Sequence, residues 1–393
     1  MTQSLSSDHA EYMGFFKFRG LRRILSPRFI YASFFWYLIA IKLSITLFAF
    51  FIYARFTPFL DADIYLSPLD MNRGGALRTE HAHILFRHVR EILGSDLAVH
   101  VATSLLLAYV IWFVFHKTLH FMNKYLFSSA LLLPHFMIWT GMVGKEPLAI
   151  AGFLLLIRAC VDLVVKHRTP FLLIVLGLFL GTFKPHYLVA YGYLLMVSVF
   201  FAYTRMPWFH SPKNNGRLFV IGVILTGVLA FVFWEHLTPP LLTLMRAKEA
   251  MFLAQTGQVG ANRVGIQWKE PMDFIYNMGW GLPVSILGPT LKETLARPLI
   301  APAFLEGLIA LGLSLWILLK TIQFAFEHPK YHAVIVLGLI PAILIGLLVN
   351  YPVGIFNPGS AVRYKQSLAP LLYFYALLLM GEVKKQACGE VNA

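Results

Sequence analysis

Apolar runs long enough to cross a bilayer recur from Phe29 almost to the end of this chain, and they leave few folds open to it. In hydrocarbon every backbone N–H and C=O must be satisfied internally, so an uninterrupted apolar run of about 20 residues reads as a helix. Candidate spans cover residues 29–54, 97–115, 125–143, 147–165, 171–183, 187–203, 218–236, 304–320, 332–350 and 367–381. The expected fold is all-α, a polytopic transmembrane helical bundle of about ten spans. A basic cytoplasmic N-terminus (1–28) precedes a transmembrane domain (29–381) with long outer loops at 55–96 and 237–303, and a cytoplasmic tail (382–393) follows.

Composition agrees: 58% hydrophobic and 13% charged residues exclude an ordinary water-soluble enzyme. The net charge of +14 has no soluble basic face on which to meet a duplex, so nucleic acid is not an expected partner. It reads instead as positive-inside topology. With the N-terminus inside, the short cytoplasmic loops collect Lys117, Lys124, Lys166, Arg168, Arg205, Lys213, Arg217, Lys320 and Lys330. The short outer loops hold Lys145, Lys184, Arg363 and Lys365, so an N-in, C-in arrangement follows. Lys17, Arg19, Arg22, Arg23 and Arg28 lead into the first run with no small-residue cleavage site, the pattern of a retained span. Cys160 and Cys388 are too few and too far apart for a disulfide framework or a thiolate metal site.

As one helix, residues 171–203 would rise about 50 Å, too long for a hydrocarbon core of about 30 Å. A split at Lys184-Pro185-His186 gives two short helices whose polar turn must face protein or a water-filled cavity. In the first outer loop, His81–Leu93 sets Ile84, Leu85, Val89 and Ile92 against a basic face, as an interfacial helix does. In the second, Gly257–Gly265 reads as a mobile loop. Phe274–Leu287, interrupted by Gly279, Gly281 and Pro283, reads as a re-entrant or surface piece.

The chemistry-bearing residues fall on the outer side. Lys145, Lys184, Arg363 and Lys365 can converge at span ends, where a diphosphate half excluded from water needs fixed cations. The alternative is that each snorkels to headgroups. His186 titrates near working pH and suits a general base or an orienting donor, or else a structural hydrogen bond. Asp61 and Asp63 can take a hydroxyl proton or hold a divalent cation; the metal-free version is favoured, and no cofactor is expected. Glu146 is expected to pair with Lys145 or to cap the following helix. Arg158 and Asp162 form an i,i+4 pair, and Lys42 in the first span must find a partner or a cavity. His81, His83 and His88 look like a metal cluster only superficially, since residues two apart diverge on a helix.

Three segments carry a resemblance: Trp139-Thr-Gly-Met-Val-Gly-Lys145-Glu146, Phe183-Lys184-Pro-His186 and Asn357-Pro-Gly-Ser-Ala-Val-Arg363-Tyr-Lys365, with Glu306 at a helix start in Pro298–Gly307. Together they resemble the integral membrane proteins of bacterial polysaccharide loci. The group is similar to O-antigen polymerases and, more loosely, to C-type membrane glycosyltransferases. The resemblance covers about Leu133 to Leu372. It departs at Lys184, where arginine is usual, and at Glu146, where aspartate is usual, so reach and bidentate geometry change.

The resemblance implies a C-type-like bundle in the bacterial inner membrane that moves sugar or glycan from a polyprenyl-(di)phosphate-linked donor to a glycan or lipid acceptor hydroxyl. Lys145, Lys184, Arg363 and Lys365 would hold the leaving phosphate, and Asp61, Asp63 or His186 would deprotonate the acceptor. Apolar grooves would take the lipid tail. The competing class is a transporter or flippase of lipid-linked glycan, which needs no base. The sequence has no Walker A loop, no Gly-x-Ser-x-Gly elbow and no zincin His-Glu-x-x-His, which removes support from ATP-driven transport and from serine or zinc hydrolysis.

Overall fold

The computed structural model describes residues 27–55, 62, 65–67, 77–204 and 266–389, with isolated positions between 217 and 250 and at 263. Every regular element among them is helical. In chain order these are α1 (Pro27–Phe51), α2 (Leu77–Leu93), α3 (Asp96–Phe115), α4 (Lys124–Leu131), α5 (Pro134–Trp139), α6 (Lys145–Lys166), α7 (Phe171–Gly181) and α8 (Pro185–Tyr203). There follow α9 (Asp273–Leu287), α10 (Leu291–Ala296), α11 (Ala301–Glu327), α12 (Pro329–Gly354), α13 (Pro358–Leu368) and α14 (Pro370–Ala387).

The segments of α1, α3, α6, α8, α11 and α12 are long and apolar enough to cross a membrane. The pair α13–α14, bent by 43°, adds a seventh if it is one span. This is consistent with a multi-pass membrane protein. The run at 125–143 is not one helix but two, α4 and α5. Pro134 brings no N–H and disfavours helical backbone at Leu133, which stands at φ −55°, ψ 119°. The run at 171–203 divides where the Lys-Pro-His turn predicts, although α8 reaches span length by itself and α7 does not. Residues 218–236 and the Gly257–Gly265 loop lie outside the described residues apart from isolated positions. Phe274–Leu287 is unbroken within α9 despite Pro283. Its Gly281 lies so close to α12 that a Cβ there would stand 2.7 Å from the Tyr351 ring.

α6 is the axis of the bundle. All of it but Lys145, Asp162 and Lys166 is buried, against α3, α7, α8 and α14. The short α7 is held by close approach: a Cβ on Gly152 of α6 would meet the Gly177 carbonyl oxygen at 2.7 Å and the Gly181 nitrogen at 2.8 Å. Small residues four apart let two backbones touch in this way, which is how helices bind where no hydrophobic driving force acts between them.

α6 carries charge at both ends. Near its C-terminus the expected Arg158–Asp162 pair forms at 2.9 Å, and Arg158 also reaches Glu382 of α14 at 2.8 Å. Lys166 joins through Asp162 at 2.8 Å, and the Thr118 hydroxyl donates to Glu382. Lys42 finds its partners on α5 and just beyond it. Its ammonium donates to the Thr140 hydroxyl, lies 3.5 Å from the Met137 carbonyl oxygen and sits over the Phe136 ring.

A smaller core gathers Leu242, Met245, Ile266 and Trp268 on Tyr351, Val353, Ile355 and Phe356. Beside it Arg263 grips Glu293 at 2.7 and 2.8 Å, and Thr290 completes a capping box on the same carboxylate. Burial pushes the Glu293 carboxyl up, but the Arg263 and Thr290 hydrogen bonds outweigh it and hold the group below its ordinary range. A depressed carboxylate stabilises the fold above its unfolded pKa of about 4.3 and loses that contribution as pH falls through the lower folded value. Glu293→Gln should therefore flatten the acid limb of a thermal-unfolding profile recorded in detergent. An acid limb identical to wild type would count against the pairing.

Candidate functional site

The first turn of α6 places Glu146 where a helix N-terminus favours an acidic group, and the carboxylate is 1% exposed. Two cations from remote segments converge on one of its oxygens. Lys184 Nζ and Arg363 Nε each stand 2.7 Å from Glu146 Oε1. Lys184 is the residue before Pro185, so the turn that ends α7 and starts α8 delivers its side chain inward. Arg363 comes from the last turn of Pro358–Tyr364, the α-helical part of α13, whose start is fixed by the Asn357 side chain accepting from Ser360 N at 2.7 Å.

Aromatic faces close the cluster. Lys184 Nζ lies 4.0 Å from the Tyr364 ring centre, and the Arg363 guanidinium lies 5.1 Å from Trp139. Beneath them the buried Tyr187 hydroxyl donates to Asn350 Oδ1 at 2.6 Å and stands 3.1 Å from the Tyr364 carbonyl oxygen. Tyr191 donates to the Ser367 carbonyl at 2.8 Å. These tyrosines pin α13 against α8, so Arg363 and the short turn that carries Lys184 are both held by packed helices.

Of the four expected cations, only Lys184 and Arg363 meet at Glu146. Lys145 turns toward the first loop, donating to Thr79 Oγ1 of α2 at 3.0 Å with its ammonium 5.8 Å from the Tyr65 ring. The anticipated Glu146–Lys145 pair is therefore replaced by bonds to Lys184 and Arg363, because residues adjacent on a helix point apart. Lys365 is 7% exposed, and its Nζ has no hydrogen-bond partner among the described residues. It belongs to a second group, where it acts electrostatically on Glu306 of α11. Glu306 accepts from the His135 backbone N–H at 3.1 and 3.0 Å and from the His135 ring. His186 is half-buried, its ring 4.5 Å from that of Tyr187. Asp61 and Asp63 lie outside the described residues.

In α2, Ala82 and Phe86 are buried while Ile84, Leu85 and Ile92 are exposed. His83 bonds the Ser67 carbonyl at 2.9 Å and His88 the Ile84 carbonyl at 2.7 Å. No trio of metal-ligating side chains occurs among the described residues. Sequence reasoning missed Glu146 as the shared counter-ion and His135 altogether. Glu146 stood in plain view between Lys145 and Pro147, but its true partners are far along the chain. For His135 the one signal was a polar residue inside an apolar run.

Comparison with known proteins finds no matching family model, no matching curated protein and no matching solved structure.

Proposed function

We propose that this chain is a membrane glycosyltransferase or polysaccharide polymerase that moves sugar or glycan from a polyprenyl-(di)phosphate-linked donor to an acceptor hydroxyl. The observation that carries the reading is the pair of cations, the buried Lys184 and the part-buried Arg363, locked on Glu146 between Tyr364 and Trp139. Fixed cations in a water-poor site stabilise charge as it develops on a leaving phosphate, and they need no reorganisation to do so. Aromatic faces beside them suit the apolar faces of a sugar ring. Glu146 acts by holding both cations in place, and Lys145 extends the positive surface toward the first loop.

The topology that goes with this reading is N-in, C-in with about ten spans in a bacterial inner membrane, the site facing outward. The reaction needs a proton acceptor as well, and the sequence offers Asp61, Asp63 and His186.

The test is sugar transfer by purified protein in nanodiscs, supplied with polyprenyl-diphosphate-linked oligosaccharide extracted from the membranes of the cells that make it. Product is expected from the wild type, with Lys184→Ala and Arg363→Ala each slower by about 100-fold or more at unchanged membrane yield. Full activity in both variants would remove the phosphate clamp. No product, together with passage of the labelled lipid-linked glycan across a liposome bilayer, would assign the chain to the flippases instead.

A further inference from the structure

The His135–Glu306 pair has the form of a general-base dyad. With Glu306 Oε2 accepting from His135 Nδ1–H, the ring is the tautomer whose Nε2 is the acceptor. A carboxylate in this position also stabilises the imidazolium that forms once Nε2 takes a proton. Two further bonds, from the His135 backbone N–H to the same carboxylate, hold ring and acid in a single register. The ring is confined on its other side by Tyr53, whose ring centre lies 6.4 Å away at 78°.

The dyad stands next to the phosphate clamp through both of the short helices that build it. On α5, His135 and Trp139 are one turn apart, a rise of about 6 Å, and Trp139 is the face on which the Arg363 guanidinium rests. On α13, Arg363 and Lys365 are two residues apart, and Lys365 acts on Glu306. Lys365 supplies an independent sign of a ligand: a cation 7% exposed whose Nζ has no hydrogen-bond acceptor among the described residues. A buried ammonium without an acceptor is unfavourable, and an oxygen-rich ligand removes that cost.

We infer that His135, Glu306 and Lys365 form the acceptor-hydroxyl subsite of the proposed transferase, with His135 as the general base. The inference rests on the transferase reading. Lys365 donates to an oxygen of the acceptor sugar, and Glu306 is the positioning residue for the imidazole. In the step itself, His135 Nε2 takes the proton of the acceptor hydroxyl while its oxygen bonds to the anomeric carbon of the donor. The bond from that carbon to the phosphate oxygen breaks, and its electron pair leaves on the (di)phosphate held by Lys184 and Arg363. The proton stays on His135, paired with Glu306, until solvent takes it.

The experiment uses the full chain in nanodiscs with two readouts, binding of polyprenyl diphosphate and transfer from the lipid-linked oligosaccharide described above. His135→Gln keeps the backbone N–H that Glu306 caps, and Glu306→Gln keeps a cap acceptor. Both are expected to bind polyprenyl diphosphate within about twofold of wild type and to transfer about 100-fold more slowly. His135→Gln should also lose the acidic limb of the pH–rate profile. The groups against the ring are Glu306 from α11 and Tyr53 after α1, with Lys365 of α13 coupled to Glu306, and a merely structural role for His135 would leave that limb in place. Transfer by His135→Gln within threefold of wild type, or an unchanged acidic limb, overturns the subsite while leaving the clamp standing. A wild type that neither binds polyprenyl diphosphate nor forms product overturns the transferase reading, and the subsite falls with it.

Discussion

Glu146→Ala is expected to destabilise the protein by about 3–5 kcal/mol, because it leaves the buried Lys184 and the part-buried Arg363 beside each other without their shared carboxylate. Gaining two ion pairs in the interior does not by itself stabilise a fold, since desolvation offsets the attraction; breaking them from one side does destabilise it. The double variant Glu146→Ala/Lys184→Met should therefore lose less than the sum of its parts. A cycle of the two single variants and the double, read from unfolding in mixed micelles, isolates the coupling. Additive losses would show that the 2.7 Å contacts contribute nothing beyond their packing. Recovery in the double variant, with transfer still absent, would separate what Glu146 does for the fold from what it does for the clamp.

Gly307→Ala is expected to be as damaging for a different reason. A Cβ at this position of α11 would fall 1.9 Å from the Leu287 carbonyl oxygen and 2.8 Å from its carbon, both backbone atoms that cannot rotate away. The C-terminal end of α9 must move off α11 to admit a methyl group, and Glu306 is the adjoining residue. Yield of folded protein should drop sharply, and any folded remainder should transfer poorly. Gly312→Ala on the same helix is the control. Nothing lies within 4 Å of its added methyl group, so it should be neutral or slightly stabilising through helix propensity. Equal behaviour of the two alanine variants would mean that α9 does not dock on α11 as described.

What could be read from the chain beforehand follows the range of the interactions. The break at Lys184-Pro185 and the Arg158–Asp162 pair were legible because each depends on neighbours within a turn or two. The run at 125–143 misled because its hydropathy is continuous, whereas the interruption is a backbone effect of the single residue Pro134. Glu382 joining Arg158, and Glu146 serving Lys184 and Arg363, are tertiary choices between segments separated by up to 224 residues. Periodicity cannot rank such partners: every outer cation looked equally able to reach a phosphate, and packing sent Lys184 and Arg363 to Glu146, Lys145 to Thr79 and Lys365 toward Glu306. His135 drew no notice because a histidine in an apolar run is usually a satisfied structural residue; the approach of Glu306 is what sets it apart.

α6 also acts as a gauge of thickness. From Glu146 to Asp162 the helix rises roughly 24 Å, less than the roughly 30 Å of hydrocarbon in an ordinary bilayer. In a bilayer centred on α6 its two ionic clusters would stand inside the acyl region, an environment in which charge must be closed on itself by carboxylates, hydroxyls and rings, as both clusters are. Because the other helices enclose α6, any thinning falls on the lipid around the bundle, at a cost of a fraction of a kcal/mol per Å of mismatch. Short-chain lipids relieve that mismatch, so the length of the surrounding acyl chains becomes a physical variable of this molecule alongside its own residues.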